Sequence, residues 1–206
     1  MINRRSGFTL VELLVVAAVI AIIASVALVS WSNVAVDARD KARESDVTLW
    51  IETFTTYYGQ RAAWPVMPNP GGNKTVCLGS FASYNNKCGQ HGSLTTTAFI
   101  NASGSDHSTV LSEVGTISKV PENSSTPAHG VVGPLVYMTS TNTAPYTVTG
   151  YFFNFFEKKC PSGWTRYYTS GGGTPTLPSP IAQVINGTSA IACAKTRSFS
   201  YNPDGS

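Results

Sequence analysis

Signatures of catalysis are missing from this 206-residue chain. HExxH, GxSxG and GxxxxGK[ST] do not occur, which leaves no zincin, nucleophile-elbow or P-loop reading. The three histidines, His91, His107 and His129, are far apart and lack ligand spacing. They read as surface or turn residues rather than metal ligands. No cysteine pair is a CxxC, so a zinc site is not expected. Asp106, Glu113, Glu122, Glu157 and Asp204 are too scattered for a calcium loop. Gly171-Gly172-Gly173 is followed by no lysine and reads as a flexible loop rather than a phosphate cradle. No cofactor is expected, and the chain reads as non-enzymatic.

Charge is scarce as well. Only 12% of residues are charged, about half the share in an ordinary soluble domain. The formal net charge is +3, and Arg4 and Arg5 supply two of those charges. A polyanion-binding protein is usually more basic. Helix breakers are absent from a long stretch: no proline precedes Pro65, and no glycine lies between Gly7 and Gly59.

What is present is unevenly placed. Much of the 42% hydrophobic content sits in the first 31 residues. The remainder is polar without being charged, rich in Ser, Thr, Asn, Gly and Pro, a composition typical of exported proteins. All four cysteines, Cys77, Cys88, Cys160 and Cys193, lie downstream of the apolar run. Four cysteines allow three pairings. Cys77–Cys88 with Cys160–Cys193 is favoured, because each bond then closes a loop within its own half of the domain. Four buried thiols are the alternative if the domain stays in the cytosol.

Residues 8–31 form an apolar run whose only charge is Glu12. As a helix the run spans about 35 Å, enough for a bilayer core. Arg4 and Arg5 precede it, which by the positive-inside bias puts the N terminus in the cytoplasm and everything after Trp31 outside. A secretory signal peptide has a shorter core of 7–15 residues. A twin-arginine signal matches Arg4-Arg5-Ser6-Gly7-Phe8 only loosely. A plain membrane anchor fits the length but leaves Glu12 unexplained, since a carboxylate at a helix centre in hydrocarbon costs roughly 2.5–3.5 kcal/mol.

Helical character continues past Trp31 to about Tyr58, with Gly59 as a plausible C′ residue. Asp37 with Lys41 and Asp40 with Arg43 have the spacing of ion pairs on a solvated helix face. Val47, Trp50, Ile51, Phe54 and Tyr58 form an apolar stripe at helical spacing. Prolines 65, 68 and 70 and Gly71-Gly72 then break the chain, and residues 77–104 read as loop. Strands are expected over 109–119, 131–139, 146–157, 165–169, 181–185 and 190–201, with Pro134 demoting the second to an edge or bulge. An antiparallel sheet with one apolar face would cover the helix stripe. The expectation is an α+β fold: a long N-terminal helix, hydrophobic then amphipathic, packed on an antiparallel β-sheet head. Its parts are a leader at 1–7, an apolar helix at 8–31, an amphipathic half at 32–59 and a β-rich head at 60–206.

Gly7-Phe8-Thr9-Leu10-Val11-Glu12, with a short basic leader before it and about twenty apolar residues after it, resembles the class III signal of type IV pilins and type II secretion pseudopilins. The resemblance covers about the first 30 residues, and the helix and β head extend it loosely. It implies cleavage after Gly7 by a membrane-embedded prepilin peptidase and N-methylation of Phe8. It implies that Glu12, beside Thr9, acts in assembly by pairing with the new amino terminus of a neighbouring subunit. The physics agrees: a buried amine and a buried carboxylate are each costly, and bringing them together offsets both. The implied partners are other copies or related pilins, the peptidase, the inner-membrane assembly platform, and the membrane before assembly. The implied product is a bacterial pilus or secretion filament. One departure is that position 29, where many major pilins have proline, is Val29.

Two further signals lie in the head. Residues 152–168 interleave aromatics with Lys158, Lys159 and Arg166, a pattern that base stacking and phosphate contact require. This is the basis of the alternative, a minor pilin whose basic aromatic patch binds nucleic acid or a surface. A buried strand followed by a solvated turn explains the same residues and is preferred. Asn73, Asn101, Asn123 and Asn186 each open an N-x-[ST] triplet, although chance produces several in a chain this rich in Ser and Thr.

Overall fold

The computed structural model describes residues 9–81, 87–88, 100–101, 105–121, 127–129, 131–169, 173–185 and 189–201. The chain divides into two compact units, Met1–Ala38 and Arg39–Ser206. The first helix, α1 (Leu10–Arg61), begins in the first unit and ends in the second.

In the first unit every described residue from Leu10 onward is helical, and every described side chain from Leu10 to Val26 is exposed. The helix is apolar on all sides here, so no single face can be the buried one. It is long and apolar enough to cross a bilayer, and none of that stretch is buried within the chain. The Ser25 hydroxyl donates to the Ile22 carbonyl at 2.7 Å.

The second unit is built on a five-stranded antiparallel sheet in the order β1-β4-β5-β7-β6. The strands are β1 (Asn73–Cys77), β4 (Leu135–Ser140), β5 (Tyr146–Phe156), β6 (Thr165–Tyr167) and β7 (Ile191–Tyr201). A separate pair, β2 (Lys87–Cys88) and β3 (Ile100–Asn101), and two short helices, α2 (Ser105–Gly115) and α3 (Ser179–Ile185), complete it. β5 and β7 pair along their whole length. One face of the sheet, with Val136, Met138, Val148 and Phe152, packs on Val47, Trp50, Ile51 and Phe54 of α1 and on Val110 and Val114 of α2. The opposite face, with Leu135, Phe153 and Phe155, is covered by Phe81, Leu177 and Ile181 among others. The second half of β5, residues 152–156, is thus buried on both sides, which explains an apolar run broken there only by Asn154.

The expected α+β arrangement, a long helix with an antiparallel sheet, is therefore what the chain adopts, and several elements differ from expectation. Residues 109–119 are not a strand: they largely form α2. His107, Val110 and Val114 repeat at helical spacing and are buried, a period that outweighs the β-branched composition. Residues 181–185 belong to α3, where Pro180 sits in the first turn and its missing N–H costs nothing. β4 begins directly after Pro134 and lies between β1 and β5, so it is neither edge nor bulge. β1, with β2 and β3, lies inside the stretch read as breakers and loop. α1 runs through Gly59 to Arg61, and Ala62, at φ 52°, takes the left-handed position that ends it. The Ala62 N–H closes on the Tyr58 carbonyl at 2.8 Å. In the stripe, Tyr57 is buried in the place assigned to Tyr58, and Tyr58 stacks on Phe199.

Candidate functional site

The helix that starts at Leu10 leaves its first backbone N–H groups without helical partners. Thr9 and Glu12 meet that need in a capping box. The Thr9 N–H and hydroxyl both donate to Oε2 of Glu12, at 2.9 and 2.8 Å. In return the Glu12 N–H donates to Oγ1 of Thr9 at 3.3 Å. A carboxylate in the first turn also meets the positive end of the helix dipole. Oε1 of Glu12 has no bond to any described residue. Gly7 and Phe8 lie outside the described residues.

Residues 2–28 match the family model of the prokaryotic N-terminal methylation motif. This segment is a class III prepilin signal. No curated protein and no solved structure matches the chain. The prepilin signal and the long apolar helix together fit a membrane-anchored pilin.

Thr9 and Glu12 of the prepilin signal are the sequence-derived site residues that the structure brings together. The cysteines also pair: Cys77 with Cys88 and Cys160 with Cys193, with sulfur separations of 1.94 and 2.06 Å. The basic aromatic patch comes apart. Phe152, Phe153, Phe155 and Phe156 are fully buried, so they offer no face to a base. Lys158, Lys159 and Arg166 remain exposed, with the Arg166 guanidinium 4.9 Å above the Tyr168 ring. A buried strand and a solvated turn describe this segment. His107 is buried, with Nδ1 2.9 Å from the Cys77 carbonyl, and His129 is an exposed turn residue. His91 lies outside the described residues.

Sequence reasoning missed a charged cluster. Asp40 and Arg43 do pair, but not on a solvated face: Arg43 is 1% exposed. Its guanidinium donates to Asp40, to Glu157 at 2.8 Å and to the Pro127 carbonyl at 2.9 Å. Arg39 adds a two-pronged bond to Glu157, at 2.9 and 2.8 Å. Asp40 accepts from the backbone N–H of Glu157 and Lys158 at 3.0 and 3.1 Å. The Asn154 amide donates to the Arg43 carbonyl at 3.0 Å. The Arg39 bond and then Arg43 hold the Glu157 carboxyl down to about 2 against the cost of burial. Lys41 pairs with Glu44 at 2.7 Å. The sequence signal available was an Arg four residues before the apolar stripe, at Val47 minus four, on the stripe's own side of the helix.

Proposed function

We propose that the chain is a structural subunit, a pilin or pseudopilin, of a bacterial type IV pilus-like or type II secretion filament. The observation that carries this reading is a prepilin signal opening onto a stretch of α1, residues 10–26, that is apolar apart from Glu12 and Ser25 and exposed throughout. Such a surface requires lipid or other apolar helices around it. Lipid surrounds it before assembly, and copies or related pilins surround it afterwards. Close packing against those helices, rather than removal from water, favours assembly.

In this reading residues 1–7 are the leader, 8–31 the membrane and filament-core segment, 32–59 the amphipathic half and 60–206 the extracytoplasmic head. The precursor spans the cytoplasmic membrane once, with Arg4 and Arg5 inside. The prepilin peptidase cuts after Gly7 and methylates Phe8, and the assembly platform draws the subunit into the filament. Thr9 and Glu12 both stay on the mature side of the cut, so the capping box is retained. Oε2 is held by Thr9, and Oε1 is the oxygen left to accept an incoming amine.

Mass spectrometry of the N-terminal peptide, from protein made in its own host, tests the reading. A peptide that starts at Phe8 with one added methyl is expected. A start at Met1, or one inside the apolar run, would overturn it.

A further inference from the structure

β7 is far longer than the strand beside it. On its inner side β5 pairs with all of it, and on its outer side β6 reaches only Ala192, Cys193 and Ala194. The chain leaves β7 at this point through a turn closed by the Trp164 N–H on the Pro161 carbonyl at 3.2 Å. Among the described residues, no strand pairs with the outer side of 195–201.

The direction of the backbone groups on that edge follows from neighbouring bonds. The Thr147 carbonyl accepts from the Thr141 N–H at 3.1 Å, and the Thr147 N–H donates to the Thr141 hydroxyl at 2.8 Å. Thr147 thus faces away from β7, and Ser200 opposite it faces away from β5. Residues two apart face the same way, so the N–H and C=O of Thr196 and Ser198 also point outward. The Tyr58 hydroxyl donates to the Ser200 carbonyl and closes that end. The remaining outward groups of Thr196, Ser198 and Ser200 have no partner among the described residues. Thr196, Ser198 and Ser200 are all exposed.

The side chains beside this edge carry one sign of charge. Lys195 and Arg197 lie on the α1 side of the sheet together with Phe199, and Arg166, opposite Cys193, lies on the same side. Neither Lys195 nor Arg197 is in an ion pair among the described residues. Asp40, Glu44, Asp106 and Glu157 are in ion pairs, and Glu113 accepts from Tyr57. None of the strands β1 to β7 contains an aspartate or glutamate. Lysine and arginine on an edge hinder pairing between copies: two β7 edges side by side place four cations on one face. The same charges favour a strand of opposite sign.

We propose that the outer edge of β7 is a strand-addition site for an extended, acidic segment of a different protein. Its backbone would bond Thr196 and Ser198, and carboxylates at alternate positions would lie beside Lys195 and Arg197. The proposal does not rest on the filament reading.

The test uses the full-length chain in detergent micelles and two blocked peptides, TVEVEVT and TVKVKVT. Fluorescence anisotropy measures affinity, and hydrogen exchange reports the amides of Thr196 and Ser198. The acidic peptide should bind at least tenfold more tightly and slow both amides. Ser198→Pro should abolish this binding. Its N–H points outward, so the ladder to β5 keeps its bonds and proline is tolerated at such a position. Lys195→Glu with Arg197→Glu should reverse the preference between peptides. Equal affinity, no binding up to about 1 mM, or binding that leaves Thr196 and Ser198 exchanging as before would each overturn the proposal. So would unchanged binding by the proline variant.

Discussion

Glu157→Gln should destabilise the second unit by about 2–3 kcal/mol at neutral pH. The carboxyl is held at about 2 in the folded chain, against about 4.3 when unfolded, and each pKa unit is worth about 1.4 kcal/mol. The full shift therefore corresponds to about 3 kcal/mol. Removing one partner of a buried pair costs about 3–5 kcal/mol. Two features reduce that here: Asp40 still faces Arg43, and the Arg39 side chain, 37% exposed, returns to water. In a unit of this size the loss lowers Tm by about 5–10 °C. The dependence on pH separates this cause from a general packing defect. A depressed carboxyl stabilises the fold above its unfolded pKa, and that contribution disappears as pH falls toward the folded value. The gap between wild type and variant should therefore be constant above about pH 5 and close between about pH 4.5 and 2. Thermal unfolding of residues 32–206 across that range measures it. A gap below about 0.5 kcal/mol at pH 7, or one that persists at pH 2, would refute the account.

Glu12→Ala should leave cleavage intact and reduce incorporation into filaments, read by immunoblot of sheared filaments; normal filaments from this variant would remove the pairing argument. Gly7→Leu should block processing and leave full-length precursor in the membrane, visible as a mass that includes residues 1–7. Gly150→Ala should cost about 2 kcal/mol or more, because a Cβ there would stand 2.1 Å from the Trp64 ring; chemical denaturation checks this, and a neutral effect would mean Trp64 is free to move aside. The two disulfides enclose sequence separations of 33 and 11 residues. In the chain-entropy account, replacing Cys160 and Cys193 by serine should cost about 1 kcal/mol more than replacing Cys77 and Cys88.

The parts of the fold that could be read from sequence are those where one physical signal dominated. A long apolar run without breakers reads as a long helix, and β5 carries aromatic and β-branched residues at most of its eleven positions. α2 and α3 were misread because short apolar segments fit both periods, and the deciding cues were small: burial at every third or fourth residue and a proline at a helix start. The prepilin signal was legible because the basic leader, the Gly7 to Glu12 motif and the apolar run are contiguous in the sequence. The cluster around Arg43 was not, because Glu157 is 114 residues away. Spacing rules see an i,i+3 pair and assign it to solvent. Only the position of β5 shows that the pair is covered.

That cluster bears on how α1 finds its place on the sheet. Val47, Ile51, Trp50 and Phe54 repeat nearly every turn, and a stripe of this kind loses little if the helix slips by one turn of about 5.4 Å. Large apolar side chains exchange similar pockets and would accept the wrong depth. Arg43 accepts no such exchange: moved by a turn, its guanidinium would leave Glu157 and the Pro127 carbonyl, and Asp40 would leave the N–H groups of Glu157 and Lys158. Grease supplies the adhesion, and three charges and one carbonyl act as the notch that stops the slide.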